Sequence, residues 1–279
     1  MDPLTARRTW RSLEPIHGMI YFAPEAQKAY DAIGLTGSRE GYFGSRAAAM
    51  GAVPAEVVMA TFFNFHPELV RRAVPAAWAA APPEAILEAR LSAAGAALRR
   101  ALGEEIDAPE VGEAAALARR AAETAAERPE GRPLFAAHAS LPWPEDPHLV
   151  LWHAQTLLRE FRGDAHVAAL TLEGLDGVEA LVVHAATGEV AASVLQSSRA
   201  WSDDEWAAAV ERLRRRGILD GSSSLTFTEV GRERRQWVED RTDALSVSAY
   251  AGLGDEGCAR LRELGRVVSK AVIAAGLLG

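Results

Sequence analysis

The chain has 279 residues, 49% hydrophobic and 24% charged, the balance of a globular protein with one large core or two ordinary ones. No run of about 18 apolar residues could span a membrane, and the opening MDPLTARRTW lacks the apolar stretch of a secretion signal. Cys258 is the only cysteine, which leaves no internal disulfide and no cysteine metal cluster, so a cytoplasmic protein without membrane contact is expected. The net charge of −8 weighs against binding nucleic acid by phosphate neutralisation, although a local basic patch would still serve.

Prolines and glycines punctuate a helical pattern. After a short lead, a helix is predicted from Pro24 to the Gly34 region, followed by helices over 54–62 and from Pro67 on. An alanine-rich helix should fill 83–102, stopped by Gly103, and another should run over 109–127 between Pro109 and Pro129. The segment Arg128–Pro147 holds five prolines and reads as the connector between two halves. The expected division is 1–128, a connector at 129–147, and 148–279. Asp146 and Pro147 then read as the N-cap and first turn of a helix reaching Arg162. Strand signals are confined to "ILD" at 218–220 and "SLTFT" at 224–228.

A shift of 137 positions lays Ala29–Val58 over His166–Leu195 without gaps, with 9 identities in 30 positions. They include Gly37/Gly174, Gly51/Gly188 and the Val-x-Ala-x-Val period shared by Val53/Val190, Ala55/Ala192 and Val57/Val194. Internal duplication is the expectation. The second copy is the more complete. "EVAASVLQSSRAW" reads as a helix and turn, and "SDDEWAAAVERLRRRGIL" as the next helix, opened by Ser202 and Glu205 at capping-box spacing. A short wing and "LTFTEVG" leading into another helix follow. This order resembles a winged helix of the MarR type. Through "REFRGDAHVAAL" and "RGILDG…LT" most of the chain also resembles an actinobacterial helix-turn-helix family without a settled activity. The fold class expected is mainly α: two winged-helix-like repeats packed together, with a short β-hairpin wing in the second.

A DNA reader would place helix 203–216 in a major groove, its N-terminal end toward the bases. That end is Asp203-Asp204-Glu205, and the wing Asp220–Ser224 has no basic residue. Arg212, Arg214, Arg215 and Arg216 sit at the other end, where they complement the helix dipole. Arg232, Arg234 and Arg235 could extend the patch, so nucleic acid is a disfavoured partner and a homodimer a possible one.

A polar cluster beside the connector is the sharper candidate. Trp152, His153, Thr156, Arg159 and Glu160 precede Arg162-Gly163-Asp164-Ala165-His166. With Gly163 as a helix stop and Asp164 as the next N-cap, a helical hairpin would gather His153, Arg159, Asp164 and His166. Asp164, His166 and His153 would then orient or exchange protons, while Arg159, Arg162 and Trp152 hold an anionic ligand. The plainer alternative is a routine helix junction with ion-paired arginines. Tyr42, Phe43, Phe62, Phe63, Phe65 and His66 crowd the first copy, and Trp143 and Trp201 lie in or near the second, as a core or as the wall of a pocket between the halves. Arg46, Asn64, Phe65 and Arg199 are the residues expected beside such a ligand. His153, His166 and His184 match no local metal motif, so no metal is expected and no cofactor is specified. The leading expectation is a small-molecule-binding protein or enzyme on a helix-turn-helix-derived scaffold, its ligand in a cleft between the halves. The alternative is a ligand-responsive, MarR-like transcription regulator.

Overall fold

The computed structural model describes residues 1–278. Among these the chain forms fourteen α-helices and no sheet. The first half carries α1 (Pro3–Gly18), α2 (Pro24–Ala32), α3 (Ser38–Ala47), α4 (Ala55–Phe62), α5 (Pro67–Ala80), α6 (Pro83–Leu102) and α7 (Pro109–Ala126). Then come α8 (Pro133–Ala139), α9 (Pro147–Leu172), α10 (Gly177–Ala185), α11 (Ala192–Arg199), α12 (Asp203–Arg215), α13 (Glu229–Ser246) and α14 (Gly254–Ala274). No helix is long and apolar enough to cross a membrane.

The helices at Pro24, Pro67, Pro83, Pro109 and Pro147 begin where the sequence places them, whereas α8, opened by Pro133, lies inside the expected connector. The lead, by contrast, is itself helical. Asp2 caps α1 by accepting from the Leu4 N–H at 3.0 Å, with Pro3 in the first turn. Arg7, Arg8, Arg11 and the internal Pro15 interrupt its apolar stripe and hide it.

Two expectations are corrected. The helical hairpin at Gly163 does not form: α9 runs unbroken for 26 residues, about 39 Å. A glycine inside a helix costs only about 1 kcal/mol against alanine, and its neighbours Phe161, Arg162, Asp164 and Ala165 are all buried and hold the helix together. The β-hairpin wing is also absent. A single antiparallel bridge joins Leu219 to Phe227, flanked by Asp220 N–H to Thr226 O at 3.0 Å and Thr228 N–H to Ile218 O at 3.1 Å. The residues between are occupied by side-chain bonds among Asp220, Ser222, Ser224 and Thr226. Only one residue pair is left to build a ladder, too short for strands.

The chain divides into two compact units that interleave along the sequence. Unit 1 comprises Met1–Val53, Ala76–Ala165 and the chain from Asp243 on; unit 2 comprises Pro54–Pro75 and His166–Thr242. In unit 1, alanines on α6 and α7 (Ala94, Ala97, Ala114, Ala118, Ala121, Ala122) are fully buried and let helices approach closely. A Cβ on Gly265 of α14 would lie 2.4 Å from Leu13 of α1, so only glycine fits that crossing. Through unit 1 the central helix α9 is buried on nearly every face: from Val150 to Ala165 only Arg159 and Gly163 are not buried.

Unit 2 contains α10, α11 and α12, each of the outer two opened by a complete capping box, Asp176/Glu179 and Ser202/Glu205. Its core is built from residues such as Leu181, Val182, Trp206, Leu213 and Ile218. The 137-residue shift recurs in the backbone. Helices α4 and α11 are each eight residues long, with bounds 137 apart. Gly51 (φ 79°) and Gly188 (φ 76°) precede them, and Phe63 (φ 63°, ψ −52°) and Ala200 (φ 63°, ψ 31°) follow, alike in φ but not in ψ. These last two are the only non-glycine residues of positive φ among the described residues.

Candidate functional site

A helix buried on all sides is normally apolar on all sides. α9 instead carries Trp152, Thr156, Arg159 and Glu160 along one stripe, at spacings that stack side chains one turn apart. Unit 1 meets that stripe with polar groups from five other helical segments. α1 and the 3₁₀ turn after it bring Glu14, His17 and Tyr21; α3 brings Tyr42 and Arg46; α6 brings Arg90; α8 brings His138.

Glu160, 1% exposed, is the centre of charge. Arg159 donates to its two carboxylate oxygens at 2.9 and 2.8 Å, and Arg46 Nη2 approaches them at 3.4 and 3.5 Å. Burial opposes ionisation, yet Arg159 and Arg46 hold this carboxyl well below the usual range. Arg46 also donates to the Tyr42 hydroxyl at 2.9 Å and lies over the rings of Tyr42 and Tyr21. Burial pushes the Glu14 carboxyl up, against the pull of Arg159. Arg90 is 3% exposed and stacks 4.6 Å from the Trp152 ring, but its Nε and Nη2 have no hydrogen-bond partner.

His17 is hydrogen-bonded through both ring nitrogens, and one assignment of the hydrogens satisfies every group. The single hydroxyl hydrogen of Thr156 goes to the Trp152 carbonyl at 3.1 Å. Its oxygen therefore accepts from His17 Nδ1–H at 3.0 Å, and Nε2 is left to accept the Tyr21 hydroxyl at 2.7 Å. Burial, then the charges of Arg159 and Arg90, hold this imidazole neutral, while burial pushes the Tyr21 phenol up. The result is a Thr156–His17–Tyr21 chain with the phenol at its half-buried end.

The sequence-predicted residues separate into three groups. Trp152, Arg159 and Arg46 meet in this cluster. Arg162 and Asp164 lie in unit 1 with other partners: Arg162 forms a buried ion pair with Asp243 at 2.7 Å. Asp164 accepts from the Phe135 N–H at 2.9 Å, standing in for the side-chain cap that α8 lacks. Burial outweighs that bond and pushes its carboxyl up to about 6. His153 packs edge-on against Trp143 at 4.8 Å, and burial lowers its pKa to about 4. His166 belongs to unit 2 and bonds Thr242 at 2.9 Å. Asn64, Phe65 and Arg199 also lie together in unit 2: Arg199 sits over the Phe65 ring, and the Asn64 carbonyl accepts from Trp201 Nε1 at 2.9 Å. His153 and His166 lie thirteen positions apart on one continuous helix, about 20 Å of helical rise, and have different partners.

His17, Tyr21, Arg90 and His138 were missed. Arg90 carried a readable signal, a charge on the apolar stripe of α6 formed by Ile86, Ala93, Ala94 and Ala97. His17 and Tyr21 were hidden with the unrecognised α1.

In unit 2 the arginines at the end of α12 and on α13 are mostly engaged internally, with Arg215 exposed. Arg212 pairs with Asp176 and Glu179, both at 2.8 Å. Arg216 reaches Glu179 at 2.9 Å and the Gly174 and Glu173 carbonyls. Arg214 bonds Glu211 at 2.6 Å and the carbonyls of Asp220 and Ser222. Arg234 pairs with Glu173, and Arg235 with Glu239. The exposed positions of α12 include Asp203, Asp204, Glu211 and Arg215, three carboxylates to one guanidinium. No group of three or more His, Cys, Asp or Glu placed to hold a metal occurs among the described residues.

The chain is mainly helical. The profile of a helix-turn-helix family matches residues 6–279, and the chain belongs to that family. No curated protein and no solved structure matches it.

Proposed function

We propose that unit 1 binds a small anionic metabolite through Arg46, Arg90 and Arg159. One observation carries this reading: the cluster gathers three buried or half-buried arginines with only two carboxylates, Glu160 and Glu14, both of which pair with Arg159, and the most enclosed arginine, Arg90, has two nitrogens, Nε and Nη2, without acceptors. Taking each ion out of water costs several kcal/mol, so an excess of buried cations calls for an anion. Trp152, Tyr21 and Tyr42 supply flat apolar walls suited to an aromatic or unsaturated body. The site residues read from the sequence enter this proposal in part, Arg46, Trp152 and Arg159 as ligand-holding groups. The helix-turn-helix scaffold is then a borrowed one, enlarged by internal duplication; the matching α4 and α11 helices with their flanking positive-φ residues support that history.

Native mass spectrometry of the purified protein, against its denatured mass, tests the proposal. A non-covalent anionic adduct, or one acquired on adding benzoate, is the expected result. Loss of the adduct in Arg90→Met would tie it to this cluster.

Family membership favours a second reading, nucleic-acid binding through α12. The three exposed carboxylates on that helix and the internal pairing of most of its arginines oppose it. Fluorescence anisotropy with a mixed-sequence DNA duplex at low salt decides: saturable, salt-dependent binding would support a reader.

A further inference from the structure

Unit 2 contains a cavity of about 610 Å³ that neither the anion site nor the helix-turn-helix reading uses. We propose that it is a second, independent ligand site and that its ligand is a flat organic cation. The volume falls within the range of small-molecule pockets, roughly 300–1,000 Å³. Phe63, Trp201 and Met59 give it apolar walls, and one face of α12, through Ala208 and Arg212, closes one side.

Charge selects the ligand. Glu56, Asp176 and Glu205 line the cavity against one cation, Arg212. That guanidinium is held by Asp176 and by Glu179 behind it, each at 2.8 Å, so it offers little attraction to an anion. A cation entering here meets three carboxylates, of which Glu56 also pairs with Arg71 at 3.4 Å and Glu205 also bonds His66 at 3.0 Å, together with aromatic carbon, the pairing that recognises planar or quaternary ammonium groups. Arg199 covers the Phe65 ring at 5.3 Å, which leaves Phe63 and Trp201 as the rings a ligand would face.

The backbone supplies a separate observation. Phe63 sits at φ 63°, ψ −52°, in a tight γ-turn closed by the Asn64 N–H to the Phe62 carbonyl at 2.7 Å. A bulky residue rarely adopts this conformation. The turn is wedged by close packing: a Cβ at Gly177 would lie 2.3 Å from the Phe63 carbonyl oxygen. Glycine would hold the same turn without strain, whereas phenylalanine holds it with strain and puts its ring in the cavity wall. Strain of this kind concentrates at ligand clamps.

Ethidium, a planar aromatic cation, is the probe, with 8-anilinonaphthalene-1-sulfonate as an anion of similar size and binding followed by anisotropy on the full chain. Saturable ethidium binding that the sulfonate does not displace is expected. Phe63→Gly should weaken it by about tenfold. Ala60→Arg should abolish it, and Arg90→Met in unit 1 should leave it intact. Absence of saturable binding overturns the proposal, as does equal binding by wild type, Phe63→Gly and Ala60→Arg. Loss on Arg90→Met would assign the probe to unit 1 and also overturn it.

Discussion

Both units are rich in arginine, but they use it differently. On α12 and α13 of unit 2, Arg212, Arg214, Arg216, Arg234 and Arg235 each meet a carboxylate, several of them with a backbone carbonyl as well. These are partly exposed pairs of the kind that decorate any helical surface. In the α9 cluster of unit 1, Arg46 and Arg90 are buried and Arg159 half-buried; Glu160 serves Arg46 and Arg159, Glu14 pairs with Arg159 at 3.8 Å, and Arg90 has no carboxylate partner. The same side chain closes a local account in one unit and leaves a surplus of positive charge in the other. A basic stretch in the sequence is therefore a poor guide to binding; burial without a matching carboxylate is the better one.

The comparison can be broken by substitution. The largest effect is expected for Glu160→Ala, which leaves Arg46 and Arg159 without their shared carboxylate. Loss of one partner from a buried ion pair costs about 3–5 kcal/mol, read as a fall in the urea midpoint. Arg90→Met should go the other way, gaining about 1–2 kcal/mol by removing a buried charge with unmet hydrogen bonds, while anion affinity drops at least about tenfold. Its counterpart in unit 2, Arg212→Met, should lose only about 1 kcal/mol, because that pair is partly exposed, and should leave anion affinity unchanged. If Arg90→Met instead destabilises and Arg212→Met weakens anion binding, the contrast between the units fails.

Acid sharpens it further. Burial, then Arg90, holds His138 neutral to about 3, and burial holds His153 neutral to about 4. In the unfolded chain each takes up a proton near 6.5. Their contribution is therefore complete above pH 6.5 and is lost as pH falls from there toward 4. Asp164, pushed up to about 6, has the opposite sign: its contribution is present below its unfolded value near 3.9 and lost as pH rises through 6. Two histidines outweigh one carboxyl, so unfolding free energy should fall between pH 6.5 and 4, and His153→Phe should flatten that fall. The smallest effect is expected in unit 2, where Ser202→Ala removes one N-cap acceptor and costs about 1 kcal/mol.

Much of the fold was legible. Proline at the first turn, glycine after the last and the Ser202/Glu205 box mark helices by local chemistry alone, and these signals located α4 to α7 and α12. What failed depended on tertiary context. Gly163 looks like a stop until burial on both sides of it holds α9 together. "SLTFT" has strand composition but finds only one partner residue. The site was half legible for the same reason. Thr156, Arg159 and Glu160 stand out as polar residues in one helix, whereas His17, Tyr21 and Arg90 become site residues only when three distant segments pack against α9. Asp164 and His166 attracted attention as neighbours in sequence, yet one caps α8 and the other bonds Thr242.

The central claim is that unit 1 holds an anion on its surplus arginines. Calorimetric titration of the full chain with benzoate and with inorganic phosphate, in wild type and in Arg90→Met, tests it most directly. The account predicts saturable, one-to-one binding of at least one anion by the wild type, weakened about tenfold or more in Arg90→Met, with the variant still folded. A wild-type protein that carries no anion as purified and binds neither probe, or an Arg90→Met variant that binds as tightly as wild type, would contradict it.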